Sequence, residues 1–242
     1  MTPVPFDSGL FGIRVFRADE FDPAWDLSAC DLLYVVTPEA LPPEVLARYG
    51  GTLMDLRRVY ERRFPAPVSL PVEAMRGLSF ATLDERPLRP GEFERLVSLV
   101  WESGIHSRYY RDPRIPREWY RRLYRTWIEN SVNGEVAYAV MTARLHGVLQ
   151  GFITLKESEP GTTTLSLVGV AEGLRGQGIG TRLLLATLNY ILNRRHHTRI
   201  TVTTHGHYEP VCRFYERQGF ALIEAKNVYH FWPGHASGTR PR

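Results

Sequence analysis

A glycine-rich turn with the sequence RGQGIG, residues 175–180, holds the residue types and spacing best suited to chemistry. It follows an apolar run that ends at Val170, and it opens an amphipathic stretch that includes Leu183, Leu184 and Leu188. Glycines let the backbone curl so that successive N–H groups converge, and a helix N-terminus adds unsatisfied donors and the positive end of its dipole. The pattern predicts a binding site for a pyrophosphate-like anion.

Several kinds of site share a glycine-rich turn between a strand and a helix, so its surroundings must discriminate among them. The turn lacks the Gly-Lys-Ser/Thr ending of a P-loop. It also lies well past the middle of the chain, after predicted antiparallel strands, and not at the first strand–helix turn of a parallel sheet. A Rossmann unit is therefore disfavoured, and a tight connection without a ligand is the structural alternative.

The turn, together with the order of predicted elements over residues 78–232, resembles the acetyl-CoA-binding domain of the GNAT superfamily of N-acetyltransferases. The resemblance implies that main-chain groups of the preceding strand hold the pantetheine arm and the thioester carbonyl. These residues are Val168, Gly169 and Val170. It also implies that main-chain groups of the turn hold the pyrophosphate, with one arginine side chain capping or shielding the phosphates. These residues are Arg175, Gly176, Gln177, Gly178, Ile179, Gly180 and Thr181.

A second segment, residues 208–220, resembles the family's "N…A…FYEKxGF" pattern in its Phe-Tyr-Glu and Gly-Phe pairs. Tyr215 matches the tyrosine that often lies beside the CoA sulfur, where a phenol can protonate the leaving thiolate. A tyrosine that only packs on the cofactor is the alternative. The usual asparagine of the pattern is replaced by Tyr208, which we assign to the cofactor site without the hydrogen bond that asparagine would make.

The incoming amine must lose a proton before it attacks the thioester. Glu157, His205 and His207 each follow a predicted strand and are candidate bases. The strand over residues 164–170 contains no carboxylate. A water relay, or an amine that arrives already neutral, therefore remains open.

Three further segments narrow the resemblance. The opening residues 5–13, PFDSGLFGI, resemble the start of the dTDP-fucosamine acetyltransferases and similar sugar-nucleotide acetyltransferases, and residues 107–113 and 127–130 resemble the segment after their first cofactor-domain helix. Those enzymes carry a truncated GNAT-like domain before the complete one. They acetylate the 4-amino group of a dTDP-linked 4-amino-4,6-dideoxy sugar, and the resemblance implies a similar acceptor here.

Four residues are expected on the acceptor side of the site: His106, Arg108, Tyr109 and Glu157. An arginine suits a nucleotide phosphate, and a tyrosine can stack on a base or sugar. Two other readings remain: acetylation of another small amine or of a protein N-terminus, and a non-catalytic module that senses CoA.

The elements that must position these residues fall into two groups. Strand, helix and strand patterns occupy residues 31–64, and a proline-rich stretch follows, so we place a domain boundary near residue 75. The fold class expected is α/β, with a mixed, largely antiparallel sheet, helices on both faces and two strands splayed around the cofactor. The predicted units are a truncated GNAT-like domain (1–75), an acetyl-CoA-binding domain (76–232) and a flexible tail (233–242).

A weak internal repeat supports this division. Sliding the chain by 169 residues matches Gly50 to Gly219 and Val59-Tyr60 to Val228-Tyr229. We interpret the first segment as a degenerate half-copy of the last quarter of the chain, without a cofactor loop.

Composition sets the remaining expectations. The net charge of +4 is too small and scattered to indicate nucleic-acid binding. Two distant cysteines favour a reducing compartment, and no signal peptide or membrane span is evident, so a cytoplasmic location is expected. The histidines lack the spacing of metal ligands, so no metal is expected, and a homodimer is plausible from the resemblance.

Overall fold

Residues 1–235 are described by the computed structural model, and their ten strands form one sheet. The strands are β1 (Thr2–Pro3), β2 (Val15–Ala18), β3 (Leu32–Thr37), β4 (Gly51–Arg63), β5 (Leu78–Thr82), β6 (Ala139–Leu145), β7 (Val148–Glu159), β8 (Thr162–Val170), β9 (Arg199–His205) and β10 (Ala221–Phe231). The α-helices are α1 (Pro5–Phe11), α2 (Pro43–Tyr49), α3 (Glu92–Gly104), α4 (Arg108–Arg111), α5 (Arg117–Val132), α6 (Ile179–Tyr190) and α7 (Glu209–Arg217).

The sheet runs in the order β1-β2-β3-β10-β4-β9-β8-β7-β6-β5. Only two neighbouring pairs are parallel, β2 with β3 and β8 with β9. The expected fold class, a mixed and largely antiparallel sheet, is confirmed.

Helices cover both faces of the sheet because their apolar stripes need a partner surface. On one face, Leu183 and Leu188 of α6 are buried with Ile153 and Val202 of the sheet in a single cluster. On the other face, α3 packs against α5 and covers β7 and β8, and Phe152 is fully buried in this cluster.

The strand–helix–strand segment β3-α2-β4 has the same element order as β9-α7-β10, which agrees with the repeat seen in the sequence. The equivalent glycines follow the two helices, and both adopt left-handed backbone angles, with φ of 70° at Gly50 and 76° at Gly219. A residue with a Cβ is disfavoured in this region, so both turns favour glycine. The two segments interlock, because β10 lies between β3 and β4.

The boundary expected near residue 75 falls between β4 and β5. The sheet is continuous across it, because β4 pairs with both β9 and β10. The division into two domains stays a prediction. Residues 233–235 form a short 3₁₀ turn, and the rest of the expected tail lies outside the described residues.

Most predicted elements agree with the structure within a few residues, and the differences lie mainly in short elements. The alternating sequence predicts a strand over residues 135–144, whereas β6 spans Ala139–Leu145, since residues 135–138 belong to the turn after α5 and its exit. The sequence does not predict the short strands β1 and β2 or the short helices α1 and α4, because each is too short to develop an apolar period.

Candidate active site

A cavity of about 550 Å³ opens where β8 and β9 part. The two strands pair only from Thr162 with Arg199 to Leu165 with Val202, although both continue beyond these residues. A register irregularity between β7 and β8 accompanies the divergence, and Thr154 Oγ1 there accepts a hydrogen bond from the N–H of residue 167 at 2.9 Å. The expected splay of two strands is thus present, and it exposes strand edges to a ligand.

The glycine turn forms the end of this cavity at the start of α6. Gly176 and Gly178 have φ of 78° and 79°, and Gly178 is the N-cap of the helix. Within the described residues, the N–H groups of residues 176–181 donate no hydrogen bond to the chain itself. Six such donors at a helix N-terminus suit a pyrophosphate.

Arg175 holds the turn in place. Its guanidinium donates to the carbonyl oxygens of Val170, at 3.2 Å, and of Glu102, at 3.1 Å. These contacts tie the turn to β8 and α3. The Arg175 side chain still lines the cavity.

Val168, Gly169 and Val170, predicted to contact the pantetheine arm, all line the cavity. A Cβ at Gly169 would lie 2.7 Å from the Phe152 ring, so the core beneath this strand has no room for a side chain. The strand therefore presents its main chain to the cavity at this position.

Tyr215 also lines the cavity, although only 2% of the residue is exposed. No other described residue forms a hydrogen bond with its phenol. Burial raises the pKa of Tyr215 above its ordinary value. The phenol is therefore protonated at neutral pH and able to donate.

Tyr208 and His106 lie together at the cavity, with their rings stacked 3.7 Å apart between centroids. Tyr208 is the N-cap of α7, and His106 lies between α3 and α4. Burial, followed by the charges of His207 and other cations, lowers the pKa of His106. The pair thus offers an uncharged aromatic surface at neutral pH.

Arg108 and Tyr109, expected on the acceptor side, do not line the cavity. Tyr109 is buried and donates a hydrogen bond to Asp7 at 3.1 Å, and Tyr34 donates to the same carboxylate oxygen at 2.9 Å. The Arg108 guanidinium lies over both tyrosine rings and donates to Nε2 of His230 at 3.1 Å. The short helix α4 directs these side chains toward β3 and α1, which a sequence pattern does not reveal.

Glu157, the fourth expected acceptor residue, lies at the opposite end of the sheet. It pairs in register with Thr163, near the start of β8, whereas the cavity lies at residues 166–170. Its carboxylate is 3.6 Å from Arg195 and 3.5 Å from His197. Because β7 and β8 are antiparallel, a residue near the end of β7 cannot reach the end of β8.

Sequence reasoning missed Asp55, a buried carboxylate on β4 that lies against His205. His205 lines the cavity, as the sequence suggested for a candidate base, and His207 lies behind it. No local signal marks Asp55, because β4 reaches this end of the sheet only by inserting between β9 and β10. Among the described residues, no group of His, Cys, Asp and Glu is arranged to hold a metal ion.

Comparisons with known proteins agree with this geometry. The sequence model of the acetyltransferase (GNAT) family matches residues 99–220, half of the chain. A spore coat polysaccharide biosynthesis protein of Bacillus subtilis (strain 168), SpsD, is 30% identical over 151 residues, which cover 61% of this chain and 50% of that protein. The 5-NmdU N-acetyltransferase of Pseudomonas phage PaMx11 is 29% identical over 94 residues, covering 37% of this chain and 64% of that protein.

Among solved structures, a GCN5-related N-acetyltransferase from Sphaerobacter thermophilus shares the fold with a TM-score of 0.54 at 18% identity, covering 82% of this chain and 59% of that one. The chain spans about half the length of the B. subtilis relative. The chain belongs to the GNAT acetyltransferase family. No helix in the part of the chain that the structure describes is long and apolar enough to cross a membrane.

Proposed function

We propose that this protein transfers the acetyl group of acetyl-CoA to the amino group of a dTDP-linked 4-amino-4,6-dideoxy sugar. The observation that carries acetyl transfer is the cavity between the parted strands, which ends at the free N–H groups of the glycine turn and is bordered by Tyr215. The sugar acceptor is supported by the name of the B. subtilis relative, which refers to polysaccharide biosynthesis, and by the opening residues.

The residues present fit acetyl-CoA. The turn of residues 176–181 would hold the pyrophosphate by its N–H groups, and the unpaired edge of residues 166–170 would hold the pantetheine arm. When bound, the thioester supplies an activated acetyl carbonyl. Leu183 and Phe214 give the cavity an apolar wall that excludes water from the arm.

Tyr215 is proposed as the general acid that protonates the departing thiolate. Its burial keeps the phenol neutral, and the lack of a competing hydrogen bond within the described chain leaves its O–H free for the sulfur. A protonated phenol in an apolar wall is suited to protonating the departing thiolate.

The acceptor is proposed to bind where His106 and Tyr208 meet the cavity. Stacked aromatic rings suit a sugar or a nucleotide base, and the nearby Arg111 adds positive charge for a diphosphate. Arg108 and Tyr109 no longer belong to this proposal, since both are engaged in the buried cluster. A cytoplasmic location and a homodimer remain part of the proposal; both cysteines are buried and unpaired.

The test measures free thiol release from acetyl-CoA with dTDP-4-amino-4,6-dideoxygalactose as acceptor. The matched control is the same nucleotide sugar with a hydroxyl in place of the amine. We expect thiol release and an N-acetylated product, identified by mass spectrometry, only with the amine. Equal release with both compounds, or with neither, would contradict the sugar acceptor.

A second candidate is acetylation of another amine, which the name of the phage relative favours. The same assay with a panel of small amines, aminomethylated nucleosides and peptides separates the two. If acetyl-CoA stabilises the protein in a thermal shift measurement but no amine of the panel releases thiol, a CoA-sensing role replaces the catalytic one.

A further inference from the structure

Asp55 projects from the middle of β4 toward the end of β9, and only 5% of the residue is exposed. Its Oδ2 lies 2.5 Å from Nδ1 of His205, a residue 150 positions later in the chain. Its Oδ1 is buried and has no hydrogen-bond partner, although Nδ1 of His207 is 3.1 Å away. A buried carboxylate beside a cavity histidine needs an explanation other than packing.

Gly206 explains how two histidines come to flank one carboxylate. Its N–H donates to the carbonyl oxygen of Leu56, at 2.6 Å, and a Cβ at this position would be 2.8 Å from the same oxygen. Only glycine permits this approach of two backbones. The His-Gly-His sequence therefore lies in close backbone contact with β4, and His205 and His207 lie on either side of Asp55.

Hydrogen-bond roles distinguish the two rings. Arg111 Nη1 lies 2.9 Å from Nδ1 of His207, and because arginine can only donate, this nitrogen accepts. It therefore cannot also donate to Asp55, which agrees with the unpartnered Oδ1. Burial, followed by the Arg111 charge, lowers the pKa of His207. His207 is thus neutral and committed to Arg111.

His205 has the opposite arrangement. Its Nδ1 donates to Asp55, so the neutral ring carries its proton there and has a lone pair on Nε2. Within residues 1–235, Nε2 makes no hydrogen bond, and the residue lines the cavity with 29% of its side chain exposed. His106 also lines the cavity but has no carboxylate to orient it.

We infer that His205 is the general base of the acetyl transfer and that Asp55 is its positioning residue, so that the N-terminal part of the chain completes the active site. The inference rests on the proposed function. The carboxylate fixes the tautomer and stabilises the imidazolium that forms, as the aspartate of a Ser-His-Asp triad does for its histidine.

The acceptor arrives as an ammonium group and gives one proton to Nε2 of His205, and the nitrogen lone pair then forms the C–N bond to the acetyl carbonyl carbon. The C–S bond breaks, and the departing sulfur takes the proton of the Tyr215 phenol. The second proton on the new amide nitrogen restores the phenol, and His205 releases its proton to solvent, so one proton is released per transfer.

The groups that face His205 are Asp55 on β4, His207 on the following turn, His106 before α4 and Arg111 on α4. Of these, only Asp55 carries a negative charge. Replacing it by asparagine removes that charge and also allows an amide N–H to face Nδ1, which favours the wrong tautomer. Asp55→Asn therefore separates positioning from packing, because its shape is nearly unchanged.

The experiment compares wild type with His205→Gln, Asp55→Asn and the control His196→Asn. His196 is exposed, and its left-handed φ of 57° suits asparagine. Acetyl transfer to the best amine of the panel is followed between pH 6 and 9, with kcat and KM separated and acetyl-CoA affinity measured by calorimetry. We expect kcat to fall about 100-fold in His205→Gln and at least about 10-fold in Asp55→Asn, with acetyl-CoA affinity within about twofold of wild type.

The pH profile and the choice of amine distinguish the loss of a general base from a general loss of activity. The pH dependence of kcat/KM should differ between wild type and His205→Gln, because the variant lacks the ring that accepts the proton, and it should be the same in His196→Asn as in wild type. A weakly basic amine that is neutral at the assay pH needs no base, so the defect of both variants should shrink with it. Imidazole should partly restore His205→Ala.

Two outcomes would overturn the inference in different ways. If wild type transfers acetyl but His205→Gln keeps the kcat and the pH profile of wild type, the base assignment is wrong while the proposed function stands. If wild type binds acetyl-CoA but acetylates no amine, the proposed function fails and the base assignment fails with it. If each variant still binds acetyl-CoA, the variant is folded, and its lower rate does not come from unfolding.

Discussion

At the scale of single residues, two neighbouring tyrosines, Tyr60 and Tyr215, have different surroundings. Tyr60 donates to Glu216 at 2.9 Å, whereas Tyr215, 6.3 Å away between ring centroids, has no hydrogen-bond partner in the described chain. Tyr215 lines the cavity, so a ligand atom there can accept the hydrogen bond that its O–H makes to no other described residue. This supports the role proposed for Tyr215.

Replacing Tyr215 by phenylalanine should lower kcat about 100-fold and leave acetyl-CoA affinity within about threefold of wild type, because the ring remains and only the proton donor is lost. Steady-state thiol release and calorimetry measure the two quantities. Because burial raises the pKa of Tyr215, ionisation of this phenol should cause no loss of activity below about pH 10. An unchanged kcat in the variant would exclude the acid role.

The buried cluster around Arg108 gives the opening segment of the chain a structural role. Asp7 accepts hydrogen bonds from two tyrosines, and Ser8 Oγ accepts from the N–H of Val15 at 2.9 Å. Both polar residues of the opening segment are thus engaged within the fold. Neither side chain lines the cavity, so neither is positioned to contact an acceptor there.

His230 in this cluster should make stability depend on pH. It is fully buried; its Nδ1 donates to Asp112, and its Nε2 accepts from Arg108. Burial, opposed in part by Asp112, lowers the pKa of His230 to about 4. The unfolded chain therefore binds more protons than the folded chain between about pH 6.5 and 4, so stability is lost as the pH falls through this window.

The free energy of unfolding, measured in urea, should fall by on the order of 2 kcal/mol between pH 7 and pH 4.5. His230→Asn keeps a donor for Asp112 but does not titrate, so its stability should be lower at pH 7 and should change less with acid. In the exposed control His196→Asn, the free energy of unfolding should change with pH as it does in wild type. If it changes equally in His230→Asn, His230 is not the cause of the pH dependence.

At the scale of elements, the site depends on the divergence of β8 and β9 beyond their last paired residues, Leu165 and Val202. Parallel strands that stay paired would satisfy each other's main-chain groups, and their divergence leaves those groups for a ligand. The turn before α6 adds a second set of free donors. A strand edge and a helix N-terminus together offer main-chain recognition, which does not require particular side chains.

Gly178→Leu tests this arrangement. A Cβ at this position would meet the Arg182 guanidinium, and the φ of 79° is unfavourable for leucine, so acetyl-CoA affinity should fall more than about tenfold. The control is Gly173→Ala in the preceding 3₁₀ turn, where a Cβ meets nothing within 4 Å. Calorimetric titration with acetyl-CoA measures both, and normal affinity in Gly178→Leu would refute the pyrophosphate site.

At the scale of the whole molecule, the two parts of the chain are joined by one sheet. β4, from the N-terminal part, lies between β9 and β10, and it brings fully buried Tyr60 beneath α7 and Asp55 beside the cavity. The repeated strand–helix–strand segments pair with each other across β4 and β10. Neither segment has a complete set of strand partners without the other.

A chain that begins at residue 76 should therefore fail to fold. It would expose both edges of β10 and one edge of β9, and strands with bare edges aggregate. Circular dichroism measures the folding of residues 76–242, alone and coexpressed with residues 1–75, and gel filtration measures their aggregation. A monomeric, cooperatively folded fragment with wild-type acetyl-CoA affinity would show that the shared sheet is dispensable.

The sequence by itself determined the fold class, the glycine turn, the helix periods and the position of Tyr215 on its helix, because each is encoded within a few turns or one strand of local sequence. Tertiary structure alone decided which distant residues meet. Asp55 reaches His205 across 150 positions, Arg108 turns away from the cavity, and Glu157 lies at the far end of the sheet. The reason is that strand order and register are set by long-range pairing, which local periodicity does not specify.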